Sequence, residues 1–198
     1  MKTLTDSIRE GILDDPDDIM DQMDIGGVVL TYNEWLKRNS TARNLKITTK
    51  DVQIIDGEVV IMHPSLIFDI RELPPYRVVL KSTDKLHASI GTNRHSAKAG
   101  VTLRQQMETL CKVIEDSNGY EIDEFRLDNR VCGESKIEDN MLMTPFEIKH
   151  AVMYIGEGTL ILPYIYRCKN LEIQLESRGY VYMNGIPEGV SKLTISRK

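Results

Sequence analysis

The sequence has no long hydrophobic run, three cysteines and a single tryptophan, and each scarcity excludes something. No apolar stretch approaches the ~20 residues that a membrane-spanning helix needs. The longest candidate, Gly158 to Tyr166, is short, broken by Pro163 and better read as a strand, so no membrane contact is expected. A secretory signal needs a basic start followed by an apolar core, whereas here acids follow at once, so no export by signal peptide is expected. Cys111, Cys132 and Cys168 are odd in number and far apart, with no Cys-x-x-Cys. That pattern fits reduced, mostly buried thiols in a cytosol-like compartment rather than a disulfide framework. The Gly-x-Ser-x-Gly elbow, the dinucleotide Gly-x-Gly-x-x-Gly and His-Glu-x-x-His are all missing, so no catalytic signature stands out. What remains is an ordinary globular composition, 41% hydrophobic and 28% charged. A net charge of -5 is too mild for a molecule built as a whole to bind polyanions.

Charge is distributed unevenly along the chain. Residues 1–24 hold Lys2 and Arg9 against eight acids, a net of -6. Leu4, Ile8, Ile12 and Ile19 fall on one stripe, so this lead reads as an amphipathic helix. Asp15 before Pro16 matches a second helix start, with aspartate as cap and proline in the first turn. The acids lack the Asp-x-Asp-x-Asp-Gly turn of a calcium loop, and acids on a helix face diverge, so no metal is expected. Residues 25–198 read as one β-rich domain, with a candidate sub-boundary near 117–120.

Within that body, residues 43–49 alternate Leu45 and Ile47 with polar neighbours. The runs 52–55 and 58–62 flank Asp56-Gly57, a strong hairpin signal because this pair accepts the positive φ angles of a type I′ turn. Residues 66–70 and 76–80 read as further strands, separated by Pro74 and Pro75. Residues 102–116 form the clearest helix, with Leu103, Met107, Leu110, Cys111 and Ile114 on one face. Thr102 caps it and Ser117-Asn118-Gly119 stops it. Trp35 reads as an anchor that docks a short helix on the sheet.

The C-terminal half repeats a pentad of alternating polar and apolar residues, at 124–128, 145–149, 170–174 and 192–196. Its first apolar positions, Phe125, Phe146, Leu171 and Leu193, lie 21, 25 and 22 residues apart. These intervals fall in the range of leucine-rich repeats, and the stretch Ile186 to Ile195 resembles the repeat edge of phage and bacterial leucine-rich-repeat proteins. The interior Leu-x-x-Leu and the asparagine position of such repeats are irregular here. Period-2 alternation also describes any half-buried strand. The expected fold class is therefore α+β and β-rich, with an irregular leucine-rich-repeat-like solenoid as one form of its C-terminal half.

Residues 77–104 contain six cations against Asp84 alone, a net of +5. Gly91 to Gly100 reads as an exposed loop inside this stretch. Lys81, Lys85, His87, Arg94, His95 and Lys98 are its candidate phosphate or nucleic-acid contacts. No Gly-Lys-Ser/Thr ending and no aromatic platform accompany them. His63 and His150 read as structural. Cys132 and Cys168, each near a cation, are the cysteines with a reason to react, though neither has an adjacent histidine.

Ile8-Arg9-Glu10-Gly11 resembles the cut site of tailed-phage prohead proteases, which sever after a glutamate two residues past an aliphatic. The opening Met-Lys-Thr resembles capsid-targeting leaders of phage internal head proteins. The resemblance implies a phage protein packaged in the virion or acting in the host cytoplasm, with Ile8, Glu10 and Gly11 as processing residues. Its leader would dock on capsid or scaffold, and its body would bind a capsid partner or host factor without catalysis or cofactor. Two alternatives stay open: a small phosphate- or nucleotide-binding enzyme using the basic segment, and a bacterial repeat-type interaction protein. Strand edges that need covering leave a homo-oligomer open as well.

Overall fold

The structure is a computed structural model that describes residues 26–30, 33–34, 50–56, 58–62, 65–69, 77–81, 83 and 85–198, with the backbone alone at 65–69 and 95. The acidic lead with Ile8, Glu10 and Gly11, the anchor Trp35, the strand expected at 43–49 and His63 lie outside the described residues.

The Asp56-Gly57 signal is realised as a hairpin. β1 (Val52–Ile55) pairs antiparallel with β2 (Glu58–Ile61), and Asp56 takes the positive φ of 52° that the turn demands. The chain then leaves for a second sheet through β3 (Ser65–Asp69) and returns with β4 (Val78–Leu80), which lies parallel to β2 and completes a three-stranded sheet.

The larger sheet sets β3, β5 (Lys85–Gly91), β6 (Ile122–Asn129), β8 (Ile148–Ile161), β9 (Cys168–Tyr182) and β10 (Lys192–Arg197) side by side in chain order. Every pairing in it is parallel, and the short β7 (Lys136–Ile137) joins the far end of β8. The fold is α+β and rich in strand. Parallel neighbours cannot be joined by a tight two-residue turn.

The β5–β6 connection carries α1 (Arg94–Ala99) and α2 (Leu103–Asp116), and a one-turn α3 (Asp139–Leu142) lies between β7 and β8. Thr102 caps α2 in a full capping box: its hydroxyl accepts from the Gln105 backbone N–H, and the Thr102 N–H donates to the Gln105 side chain. Glu134, from a distant loop, accepts a further orphan N–H at Leu103 over 2.7 Å. At the other end Asn118 and Gly119 adopt φ of 62° and 81° and stop the helix. Leu103, Met107, Leu110, Val113 and Ile114 are buried, and Cys111 sits half-buried at the margin of the stripe.

One hydrophobic core joins all of this. Val59, Ile61, Val78 and Leu80 of the small sheet, the α2 stripe, and the inward residues of β5, β6, β8 and β9 belong to a single cluster. Its members lie on both sides of residues 117–120, and Tyr120 packs against it.

The register corrects one sequence expectation. Phe125 aligns with Ala88 on one side and Ala151 on the other, and Ala151 continues to Leu171 and Leu193. Three of the four pentads are therefore true rungs, but the second rung is 150–154, not 145–149. The Phe125 ring fills the inner layer between two alanines, and a second phenylalanine beside it would overfill that space. Phe146 is instead buried in the approach to β8.

Candidate functional site

The inner face of the large sheet is apolar, so its chemistry lies on the outward face. Side chains alternate along each strand, and the parallel register stacks them into columns. One column runs His87, Glu124, His150, Asn170, Lys192; the next runs Ser89, Arg126, Val152, Glu172, Thr194; a third runs Gly91, Asp128, Tyr154, Gln174, Ser196. Residues 20 to 40 apart in sequence become neighbours at ~4.8 Å.

Tyr154 is the centre of this face. The Arg126 guanidinium lies 4.7 Å from its ring centroid and that of Arg130 lies 4.4 Å away. Such a contact contributes ~0.5–2 kcal/mol, more as water is excluded. Both arginines also converge on Asp128. Arg130 grips it with two bonds, Nε to Oδ1 at 2.8 Å and Nη2 to Oδ2 at 2.6 Å, and Arg126 approaches to 3.7 Å. Burial pushes the Asp128 carboxyl up, but the Arg130 hydrogen bonds and charge outweigh it, and the net shift is down. A carboxylate held ionised with both oxygens engaged is a strut, not a proton acceptor in waiting.

The same economy of pairing governs the rest of the face. His87 lies 3.7 Å from Glu124, and Gln174 donates to Glu172 over 2.7 Å. At the strand starts Lys149 bridges Asp123 at 2.8 Å and Glu121 at 3.1 Å, while Lys169 joins Glu121 at 3.2 Å. These bonds hold the Glu121 and Asp123 carboxyls below their usual range, the Lys149 hydrogen bond being the largest cause for each. Toward β10, His150, Asn170, Glu172, Lys192 and Thr194 line an open depression of about 370 Å³. A second groove, about 270 Å³, runs between α2 and α3 past Met107, Cys111, Met141 and Met143. Among the described residues no group of histidine, cysteine or acid side chains has the arrangement to hold a metal ion.

The basic segment does not converge. Lys81 and Lys85 are exposed before and at the start of β5, and His87 follows on its outward face. Arg94 and Lys98 are exposed on α1, beyond the other end of that strand. Six strand steps separate Lys85 from Gly91, about 20 Å. The side chain of His95 lies outside the described residues. The segment read as a loop from Gly91 to Gly100 is a buried strand end followed by a helix. Gly91 is held by Gln106, and Asn93 and Ser96 bond each other's backbone N–H groups reciprocally to start α1.

Two other expectations change. His150, read as structural, faces outward and half-exposed beside Asn170. Cys168, read as a reactive candidate, is buried with its thiol pushed up to about 11 by desolvation, so it stays protonated and inert. Cys132 is the exposed thiol of the three. The Arg126–Tyr154–Arg130 clasp escaped sequence reasoning because its members lie on different strands; aligning the rungs at their 20- to 26-residue spacing would have brought Tyr154 beside Asp128.

Comparison with protein families, with curated proteins and with solved structures returns no match for this chain.

Proposed function

We propose that the chain is a non-enzymatic binding protein associated with a tailed-phage particle. Its leader docks on capsid or scaffold and is cut after Glu10, and its outward sheet face meets a protein partner. The observation that carries the binding part is the Tyr154 clasp. A tyrosine fixed between two arginines offers the aromatic and guanidinium groups that dominate protein interfaces, at little further cost in side-chain entropy. The mutual pairing of Asp128, Arg126 and Arg130 supports recognition over acid–base chemistry. The length of β5, which separates Lys85 at its start from the helix bearing Arg94 and Lys98 beyond its end, weighs against the small phosphate-handling enzyme. The virion part is supported by the resemblance of Ile8, Glu10 and Gly11 to a prohead-protease site.

Co-expression with a matching prohead protease, followed by intact-mass measurement, tests the leader. The expected species begins at Gly11, and Glu10→Ala leaves the chain uncut. An uncut wild-type chain overturns the virion reading. Binding through the clasp is tested with Tyr154→Ala: affinity for the capsid or scaffold partner should fall at least tenfold while the circular dichroism spectrum is kept. An unchanged affinity moves recognition off this face.

A further inference from the structure

The large sheet ends at β10, which pairs with β9 on one side and with no strand on the other among the described residues. Alternate residues of such an edge turn N–H and C=O groups outward with no ladder partner, a ready template for one more strand. The charge of this edge is one-sided. Residues 192–198 contain Lys192, Arg197 and Lys198 and no acid. Arg197 is folded back onto the chain, donating to the Ser177 and Gly179 carbonyls at 3.3 and 3.1 Å and covering the Tyr180 ring at 5.7 Å. Among the described residues the Lys192 side chain makes no ion pair or hydrogen bond, and neither does that of His150, two strands inward on the same column. Of the other outward basic side chains, Arg126 and Arg130 share Asp128 and His87 lies beside Glu124, while Lys85 stands exposed on β5, with three strands between it and β10 in the sheet order. The depression of about 370 Å³ lies between the two unpaired groups.

We propose that β10 is a strand-addition site for an extended protein segment bearing acidic side chains. This rests on the binding-protein reading and gives its partner a chemistry and a docking line. An added strand places its outward side chains ~5 Å from Lys192 and Thr194. A carboxylate there pairs with Lys192, on the side of β10 away from the depression. The alternate, inward side chains cover Leu193 and Ile195, the latter 40% exposed at the edge.

A second copy of the chain fits this edge less well. Antiparallel self-pairing keeps inward and outward faces in phase only when a residue lies on the two-fold axis. With Thr194 on the axis, Lys192 meets Ser196; with Ile195 on it, Lys192 meets Lys198. Neither register brings an acid, because the strand has none. A nucleic acid answers the charge but leaves the backbone groups of the edge unmet, and they are what an extended peptide satisfies.

The test is fluorescence anisotropy with the full chain and a labelled octapeptide of alternating glutamate and valine. Three further probes accompany it: the lysine–valine counterpart, the acidic peptide methylated at alternate amides, and an oligonucleotide of equal charge. The acidic peptide should bind, and alternate N-methylation or Lys192→Glu should each weaken it at least tenfold. Lys98→Glu, on α1, should leave it unchanged. Equal binding of the methylated peptide reduces the effect to charge and overturns strand addition, as does tighter binding of the oligonucleotide. Acidic-peptide binding that survives Lys192→Glu places the site elsewhere. Absence of peptide binding, or self-association through β10 seen by sedimentation, overturns the edge proposal too. In that case Tyr154→Ala still decides the binding-protein reading on its own.

Discussion

Gln106 occupies a position that helical periodicity assigns to the core, yet it carries an amide. It is fully buried, and its side chain closes on Gly91 from both sides, accepting from the Gly91 N–H and donating to the Gly91 carbonyl, each over 2.9 Å. The end of β5 thereby receives from α2 the partners it would otherwise lack. An unpaired buried group costs ~1–3 kcal/mol. Gln106→Ala should therefore lower stability by about 3 kcal/mol, read as a shift in the urea midpoint with the slope unchanged. Little of this was legible in the sequence, where Gln106 is the second of two glutamines ahead of Met107. The apolar members of the same stripe, Leu103, Met107, Leu110 and Ile114, were fully legible, because local spacing and burial coincide for them. Cysteines show the same divide. The cations beside Cys168 in sequence point away from a thiol that the sheet encloses.

At the scale of elements, the small sheet is tied to the C-terminal end of α2. Arg77 pairs with Glu58 and donates from Nε to Asp116 at 2.9 Å, and Lys112 reaches the other Asp116 oxygen at 2.7 Å. The Ser117 hydroxyl accepts the Leu80 N–H over 2.8 Å. Hydrogen bonds from Arg77 first, then Lys112, pull the Asp116 carboxyl down to about 2. An unfolded aspartate titrates near ~3.9. The fold thus favours the ionised form, and the stabilisation is complete above that value and disappears as pH falls through about 2. Urea melts from pH 2 to pH 7 should show Asp116→Asn less stable than wild type at neutral pH, the two curves converging at the acid end. A gap that stays constant with pH would assign the effect to packing instead. The hairpin β1–β2 and helix α2 could be read from sequence because turn chemistry and caps are local. The parallel order of the large sheet could not, since alternation has the same period in parallel and antiparallel strands. The mistaken rung at 145–149 has this origin: its pattern is right, and only the neighbours Ala88 and Phe125 show that an alanine is required.

Among the described residues, both sheets and α2 contribute to one core that has members before 117 and after 120. Thermal unfolding should accordingly be a single transition, with far-ultraviolet circular dichroism and tyrosine fluorescence coincident. A biphasic melt would instead support the sub-boundary near 117–120. The basic segment shows how charge that is close in sequence can be spread out in space. A run of charge in sequence becomes a cluster in space only where the chain doubles back, and β5 instead carries it straight across the sheet.

The order of strands in that sheet has a consequence for how the molecule is made. Every strand from β5 onward lies against the strand that precedes it in the sheet, and no member waits for a partner to be inserted later between two others. A ribosome delivers a chain from its N-terminus. As each strand emerges, the edge it must join has already been synthesised, so the sheet can be laid down in the order of translation.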